Sequence, residues 1–280
     1  HGTPAARAGV FQKKNTREIR TTTNMKSVKW LKVLLAVSTL LTIMIGVSRA
    51  EKIATVTYRY VEQADVQDYI KREKEFWKPI AEKAIEEGRM SNWSVWQKIG
   101  GVQLEEEPNI LIYAEFDEVS DLESYGSSSL WKKVFPKKEF SDISVRSLYR
   151  TKAHLYQKPL INMVSSGDAD MPKVIRINFA KANGTLADYL KMEQDVWAPF
   201  IAEQIKRGNT NITSWYLGEV LNPGGTDRPY DAVTVDGFGS LSAALSPVLD
   251  EGIAMPDLSE FGKVHKKVKR QLYRLEAHAK

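Results

Sequence analysis

Cysteine is absent from the sequence. Disulfides, thiolate catalysis, cysteine-ligated zinc and a lipid anchor on cysteine are excluded together. Histidine is scarce. Beyond residue 50 only His154, His265 and His278 remain, and no spacing among them suggests a metal site. There is no glycine-rich phosphate loop and no nucleophile elbow. The apolar run from Val33 to Val47 falls short of the roughly 20 residues that span a bilayer.

That run does fit another plan. Met25-Lys-Ser-Val-Lys29-Trp-Leu-Lys32 is a short basic stretch, the apolar run follows, and Ser48-Arg49-Ala50 closes it with small residues. This is the layout of a secretory signal peptide. The expectation is therefore an upstream, non-native segment over 1–24, a signal peptide over 25–50 cleaved after Ala50, and a secreted or periplasmic product with no membrane attachment after cleavage. The alternative is an uncleaved anchor. The leader also carries the basic charge. It holds nine of the chain's 40 Lys and Arg and one of its 35 Asp and Glu, which leaves 31 against 34 beyond residue 50. A weakly acidic body argues against nucleic acid as a partner. The basic run from Lys263 to Arg270 reads as one solvated helix face.

What the chain has in abundance is repetition. Tyr69-Ile-Lys71-Arg-Glu73-Lys-Glu75-Phe-Trp77-Lys-Pro79 returns as Tyr189-Leu-Lys191-Met-Glu193-Gln-Asp195-Val-Trp197-Ala-Pro199. Gly88 is matched by Gly208, and Tyr149-Arg150-Thr-Lys-Ala153-His154 by Tyr273-Arg274-Leu-Glu-Ala277-His278. An echo this long and irregular marks a duplicated domain rather than a solenoid. The first unit is set at 51–158 and the second at 173–280. The proline- and glycine-bearing stretch 159–172 reads as the linker.

Each unit alternates strand and helix signals. Ile53 to Val61 and Val174 to Phe179 are strands by their alternation and Val, Thr and Tyr content. Val66 to Ile85 and Leu186 to Ile205 carry apolar residues at helical spacing, end at a glycine, and begin in the first case after a candidate cap, Asp65. Pro79 and Pro199 fall inside these helices. A kink or break is expected there, with the carbonyls of Glu75 and Asp195 freed. Two strands joined by a turn, a weaker helical region and a closing strand complete each unit. The order is β-α-β-β-α-β, the ferredoxin-like split βαβ. Such a unit leaves one sheet face bare, and two can shield each other by meeting sheet to sheet.

In this order and pairing the chain resembles the dimeric α+β barrel superfamily, which includes antibiotic-biosynthesis monooxygenases, EthD-like proteins and the NIPSNAP proteins. The residues that carry the resemblance are Trp77-Lys-Pro79, Trp197-Ala-Pro199 and the two Tyr-Arg-x-x-Ala-His strands, and it covers nearly all of the chain beyond the leader. It implies α+β class, two tandem ferredoxin-like units closing a pseudo-dimeric barrel, and either a monomer or a homo-dimer. In some members an inner Asn and His flank an aromatic ligand or a haem. Asn178 and His278 resemble that pair, whereas Thr57 stands where the first unit would need its Asn. No cofactor is expected from the residues themselves.

Alternation sorts each strand into two faces. Val56, Tyr58, Ile177, Phe179, Tyr149, Thr151, Ala153, Tyr273, Leu275 and Ala277 are expected under the helices. Thr55, Thr57, Arg150, Lys152, His154, Arg176, Asn178, Arg274, Glu276 and His278 are expected in the space between the sheets. His154 and His278 are then candidate proton-transfer groups. Arg150 and Arg274 are candidate holders of a carboxylate, enolate or phenolate, and Arg176, Asn178, Trp93 and Trp215 candidate ligand contacts. The plainer alternative pairs the two arginines with carboxylates at the seam and leaves both tryptophans in the core. Glu73 and Glu193 sit on the apolar stripe of their helices and must be paired or shifted in pKa. They are expected to be structural, linked to Arg150 or Arg274. Three functions stay open: an exported small-molecule-binding protein with a pocket between two sheets, a cofactor-independent monooxygenase or isomerase on an aromatic or enolisable substrate, and a filled structural barrel.

Overall fold

The computed structural model describes residues 51–100, 106–126, 130–164, 171–225, 228–250 and 252–279. The expected upstream segment and signal peptide lie outside the described residues.

The first unit runs β1 (Ile53–Val61), α1 (Val66–Arg72), α2 (Lys78–Glu86), β2 (Asn92–Ile99), β3 (Ile110–Phe116), three short helices α3 (Val119–Gly126), α4 (Leu130–Val134) and α5 (Phe140–Ile143), then β4 (Tyr149–Val164). The second repeats it as β5 (Val174–Ala182), α6 (Leu186–Met192), α7 (Ala198–Arg207), β6 (Ile212–Asn222), β7 (Ala232–Phe238), α8 (Leu241–Leu245), α9 (Phe261–Val264) and β8 (His265–Ala279). All strands pair antiparallel and close a barrel in the order β1-β3-β2-β8-β5-β7-β6-β4. The halves join where β2 meets β8 and β4 meets β6.

The prolines do not break the helices. α1 passes into α2 through one π-helical turn, Glu73–Trp77, and α6 into α7 through Glu193–Trp197. The wider turn lets Lys78 N–H reach the Glu73 carbonyl, and Ala198 N–H that of Glu193. Pro79 and Pro199 then fall in the first turn of the following helix, where a missing N–H costs little. Gly208 ends α7 with φ 72°, and Gly88 follows α2 with φ 69°, a left-handed stop that glycine adopts without strain. Thr185 caps α6 through its hydroxyl, 3.1 Å from Asp188 N. Asp65 makes no such side-chain bond.

Two boundaries differ from the sequence reading. Residues 159–164 are not linker: β4 is 16 residues long and its second half pairs with β6. Pro159, which reads as a breaker, is accommodated beside a bulge at Pro159/Ile161. The basic run is not a helix face either. From His265 onward it is strand, paired along β5, because barrel closure needs a strand long enough to serve both neighbours.

On β1, β5 and most of β8 the face assignment is also reversed, whereas Tyr149 and Ala277 are under the helices and His278 faces inward as expected. Val56, Tyr58, Ile177, Phe179, Tyr273 and Leu275 pack inside the barrel. The helices cover the outer wall, over two cores containing Trp93, Val95 and Ala114 in one unit and Trp215, Leu217 and Ala232 in the other. In a closed barrel under helices both strand faces are buried, so alternation separates the faces without saying which is inner. Bulges at Tyr58/Arg59 and Val95/Trp96 also shift the phase within β4 and β8. Ala153 therefore joins the interior core, while Ala277 stays under the first unit's helix.

Candidate functional site

The barrel encloses a cavity of about 420 Å³, within the size range of small-molecule sites. Val56, Leu111, Ile175, Ile177, Val233 and Val235 form aliphatic walls, and Tyr58, Trp96, Tyr113 and Tyr216 aromatic ones. Asn92, Ser94, Asn162, Ser214 and His278 also line it. These polar groups lie where β2 and β6 begin and β4 and β8 finish. Since β2 and β6 run in the same direction around the antiparallel ring, that is one end of the barrel.

Several wall groups are held in place. Trp96 Nε1 donates to Ser94 Oγ at 2.8 Å. The Tyr113 and Tyr216 rings meet edge to face, 6.2 Å apart. Tyr113 OH donates to Glu115 Oε2 at 2.6 Å, and Lys52 in turn binds Glu115 Oε1 at 2.8 Å. Burial pushes the Tyr58, Tyr113 and Tyr216 phenols up, and that of Tyr230 to about 12. At neutral pH they are hydroxyls able to donate a hydrogen bond.

Of the residues the sequence singled out, His278 alone lines this cavity. His154 is on the outer wall, exposed, with Nδ1 2.8 Å from Thr57 Oγ1 and its ring against Tyr156. Partial desolvation of the ring and the nearby Arg59 hold its pKa down. Arg150 is exposed and paired with Glu62 and Glu106, at 2.8 and 2.7 Å. Arg274 is exposed on the outer face and binds Glu276 and Gln97, both at 2.9 Å. Neither arginine reaches the cavity. Trp93 is buried in the helix–sheet core.

Arg176, Asn178, Trp215 and Glu193 come together elsewhere, around a second cavity of about 430 Å³ between the outer wall and the α6–α7 helix. Asn178 and His278 thus lie on opposite faces of the barrel wall. They cannot grip one aromatic ligand or one haem between them.

The glutamates are buried, at 2 % and 6 % exposure. Glu73 accepts from Tyr69 OH at 2.6 Å and from Arg59 Nη1 at 3.1 Å. Its partner is Arg59 of β1, not Arg150 or Arg274, because Arg59 faces outward beneath the helix. Burial raises the Glu73 pKa against the pull of Arg59. Glu193 accepts from Tyr189 OH at 2.8 Å, and burial pushes it up to about 7.

The sequence reading missed the aromatic lining. Alternation places Tyr58 under the helices and does not single out Trp96, Tyr113 or Tyr216. The available signal was the density of tyrosines on the non-helix faces of β1, β3 and β6.

No family model matches the chain, and no curated protein matches it. Solved structures do. A candidate monooxygenase from Lactobacillus acidophilus superposes with a TM-score of 0.55 at 10% identity, over 82% of this chain and 96% of that one. The chain has the dimeric α+β barrel fold. An anthrone oxidase-like protein superposes with a TM-score of 0.51 at 10% identity, over 82% and 93%. A candidate chlorite dismutase matches at 0.44 and 11% identity, over 81% and 95%. Likeness at this identity is likeness of fold.

Proposed function

We propose that this protein binds a small, planar, largely apolar molecule in the cavity inside its barrel, with one oxygen-bearing edge turned toward His278, Asn92 and Asn162. The observation that carries the reading is the lining itself. Aromatic and aliphatic walls favour a flat apolar body, and the gathered amides, hydroxyls and imidazole fix its orientation. Native mass spectrometry of protein purified from its source tests it. A co-purified molecule is expected, and it should be absent from a Val235→Trp variant that keeps its thermal midpoint. Retention in that variant overturns the reading. The leader read from residues 25–50 adds export to the proposal, checked by the N-terminal sequence of the released form.

A second reading draws on two of the similar structures, a candidate monooxygenase and an anthrone oxidase-like protein. Here the ligand is an enolisable aromatic ketone or phenol, and the protein is a cofactor-independent oxygenase or isomerase. His278 takes the proton, and neutral donors such as the Asn92 amide hold the resulting enolate oxygen. A pH–rate profile with a limb near neutrality that disappears in His278→Ala supports this. Unchanged turnover in that variant removes His278 as the base.

A further inference from the structure

The two repeats diverge most on the outer wall. In the first, Arg59 extends beneath the helix, satisfies Glu73 and lies 3.9 Å from the Tyr149 ring centroid. The α4–α5 segment then closes over that helix: Phe135 packs on Phe76 at 5.7 Å and Phe140 on Trp77 at 6.3 Å. In the second repeat, pairing register places Ala180 of β5 where β1 has Arg59. His265 stands in the place of Tyr149 and stacks on Tyr189 at 4.7 Å. The helices between β7 and β8 shrink to α8 and α9, and the 430 Å³ cavity opens where the first repeat is filled.

Three cations and two carboxyls line this space, and burial pushes one of the carboxyls, Glu193, up to about 7. Arg176 is tied through Nε to Asp236 Oδ2 at 3.0 Å, and Arg270 through Nε to Asn178 Oδ1 at 2.9 Å. Both line the cavity, and so does Lys267. Partial burial, and then Arg270 and Arg176, lower the Lys267 pKa against the pull of Asp236 and Glu193. Asp236 is already committed to Arg176 and Asn178. The helix facing that wall contributes Trp197 and Phe200 to the lining, and Trp215 of β6 adds a third ring on the wall itself, beside Asp236.

We infer that this cavity is a second ligand site, specific to the second repeat, for an organic carboxylate whose anionic head sits among Arg176, Lys267 and Arg270 and whose apolar body lies against Trp197, Phe200 and Trp215. Guanidinium forks suit a carboxylate, and partial desolvation strengthens the attraction. Only an anion attached to an apolar body uses both halves of the lining. The inference is independent of the reading of the barrel interior.

The test uses 1-naphthylacetate and its neutral amide, followed by their fluorescence on titration into the protein. The acid is expected to bind at least about tenfold more tightly than the amide, and added salt should narrow the difference. Arg270→Gln, at an exposed strand position, should remove most of the preference without loss of thermal stability. Ala180→Arg, which rebuilds the first repeat's filling, should abolish binding. Val235→Trp in the barrel should leave it intact, so that this site and the barrel site fail separately. Equal binding of acid and amide, no saturable binding of the acid, or a preference that survives Arg270→Gln would each overturn the inference.

Discussion

Arg59 Nη1 lies 3.1 Å from Glu73 Oε1, and Ala180 occupies the matching place beside Glu193. One buried glutamate is in direct contact with a cation, whereas the other accepts its hydrogen bond from a phenol. This difference sets how each repeat responds to mutation and to pH.

Removing Arg59 leaves Glu73 buried with Tyr69 as its remaining donor. Arg59→Ala is expected to cost about 3 kcal/mol at neutral pH, read as a shift in the urea midpoint. Glu73→Ala should likewise lower stability while barrel ligand binding is kept, since the carboxylate is on the far side of the wall. Equal stability with lost binding would contradict that structural role.

Glu193 makes stability fall as pH rises. Its folded pKa, about 7, is above the ordinary carboxylate range. Between that range and pH 7 the folded chain therefore holds a proton that the unfolded chain has released. The groups facing it are Tyr189, which donates to it, Asp236, which opposes its ionisation, and Lys267, which favours it. Stability should decline through this window by up to roughly 3 kcal/mol. Glu193→Gln should flatten the slope and be more stable than the parent at pH 8. Urea titrations at pH 4, 6 and 8 would show it, and parallel curves would refute it.

Inside the barrel the repeats exchange large for small. Trp96 stands over Ser94 in β2, whereas in β6 register places Gly218 at the position equivalent to Trp96 and Tyr216 at that equivalent to Ser94. A Cβ on Gly218 would come within 2.5 Å of the Tyr216 hydroxyl. Gly218→Ala should push that ring off and cost about 1–3 kcal/mol, with a change in the near-ultraviolet dichroism of the Tyr113–Tyr216 pair. Adding Tyr216→Ser should recover much of the loss.

Much of this architecture could be read in the amino acids. The repeated helix motif, with Gly88 and Gly208 as stops, gave the element order, and the duplication gave the partner for each bare sheet. The buried glutamates were evident from their place on an apolar stripe. Which face of β1 and β5 turns inward could not be read, because Val56 and Tyr58 are as apolar as a helix-covered face requires. Barrel closure decided it. Pro159 suggested a linker because a proline normally ends a strand, and a bulge absorbs this one. A cation for Glu73 was expected, but on the wrong strand: the Tyr149 and Tyr273 strands look equivalent in sequence and pointed to Arg150 and Arg274 rather than Arg59. Register aligns Tyr149 with His265 instead.

β4 and β8 each give one stretch to their own half and the remainder to the other. Cutting the chain near residue 171 would leave two fragments, each with a dangling ribbon whose mate is on the other piece. Mixed together, they should reassemble, and dilution should separate them. In the intact protein the peptide connection makes that association insensitive to dilution, so a scarce product would still be a complete one.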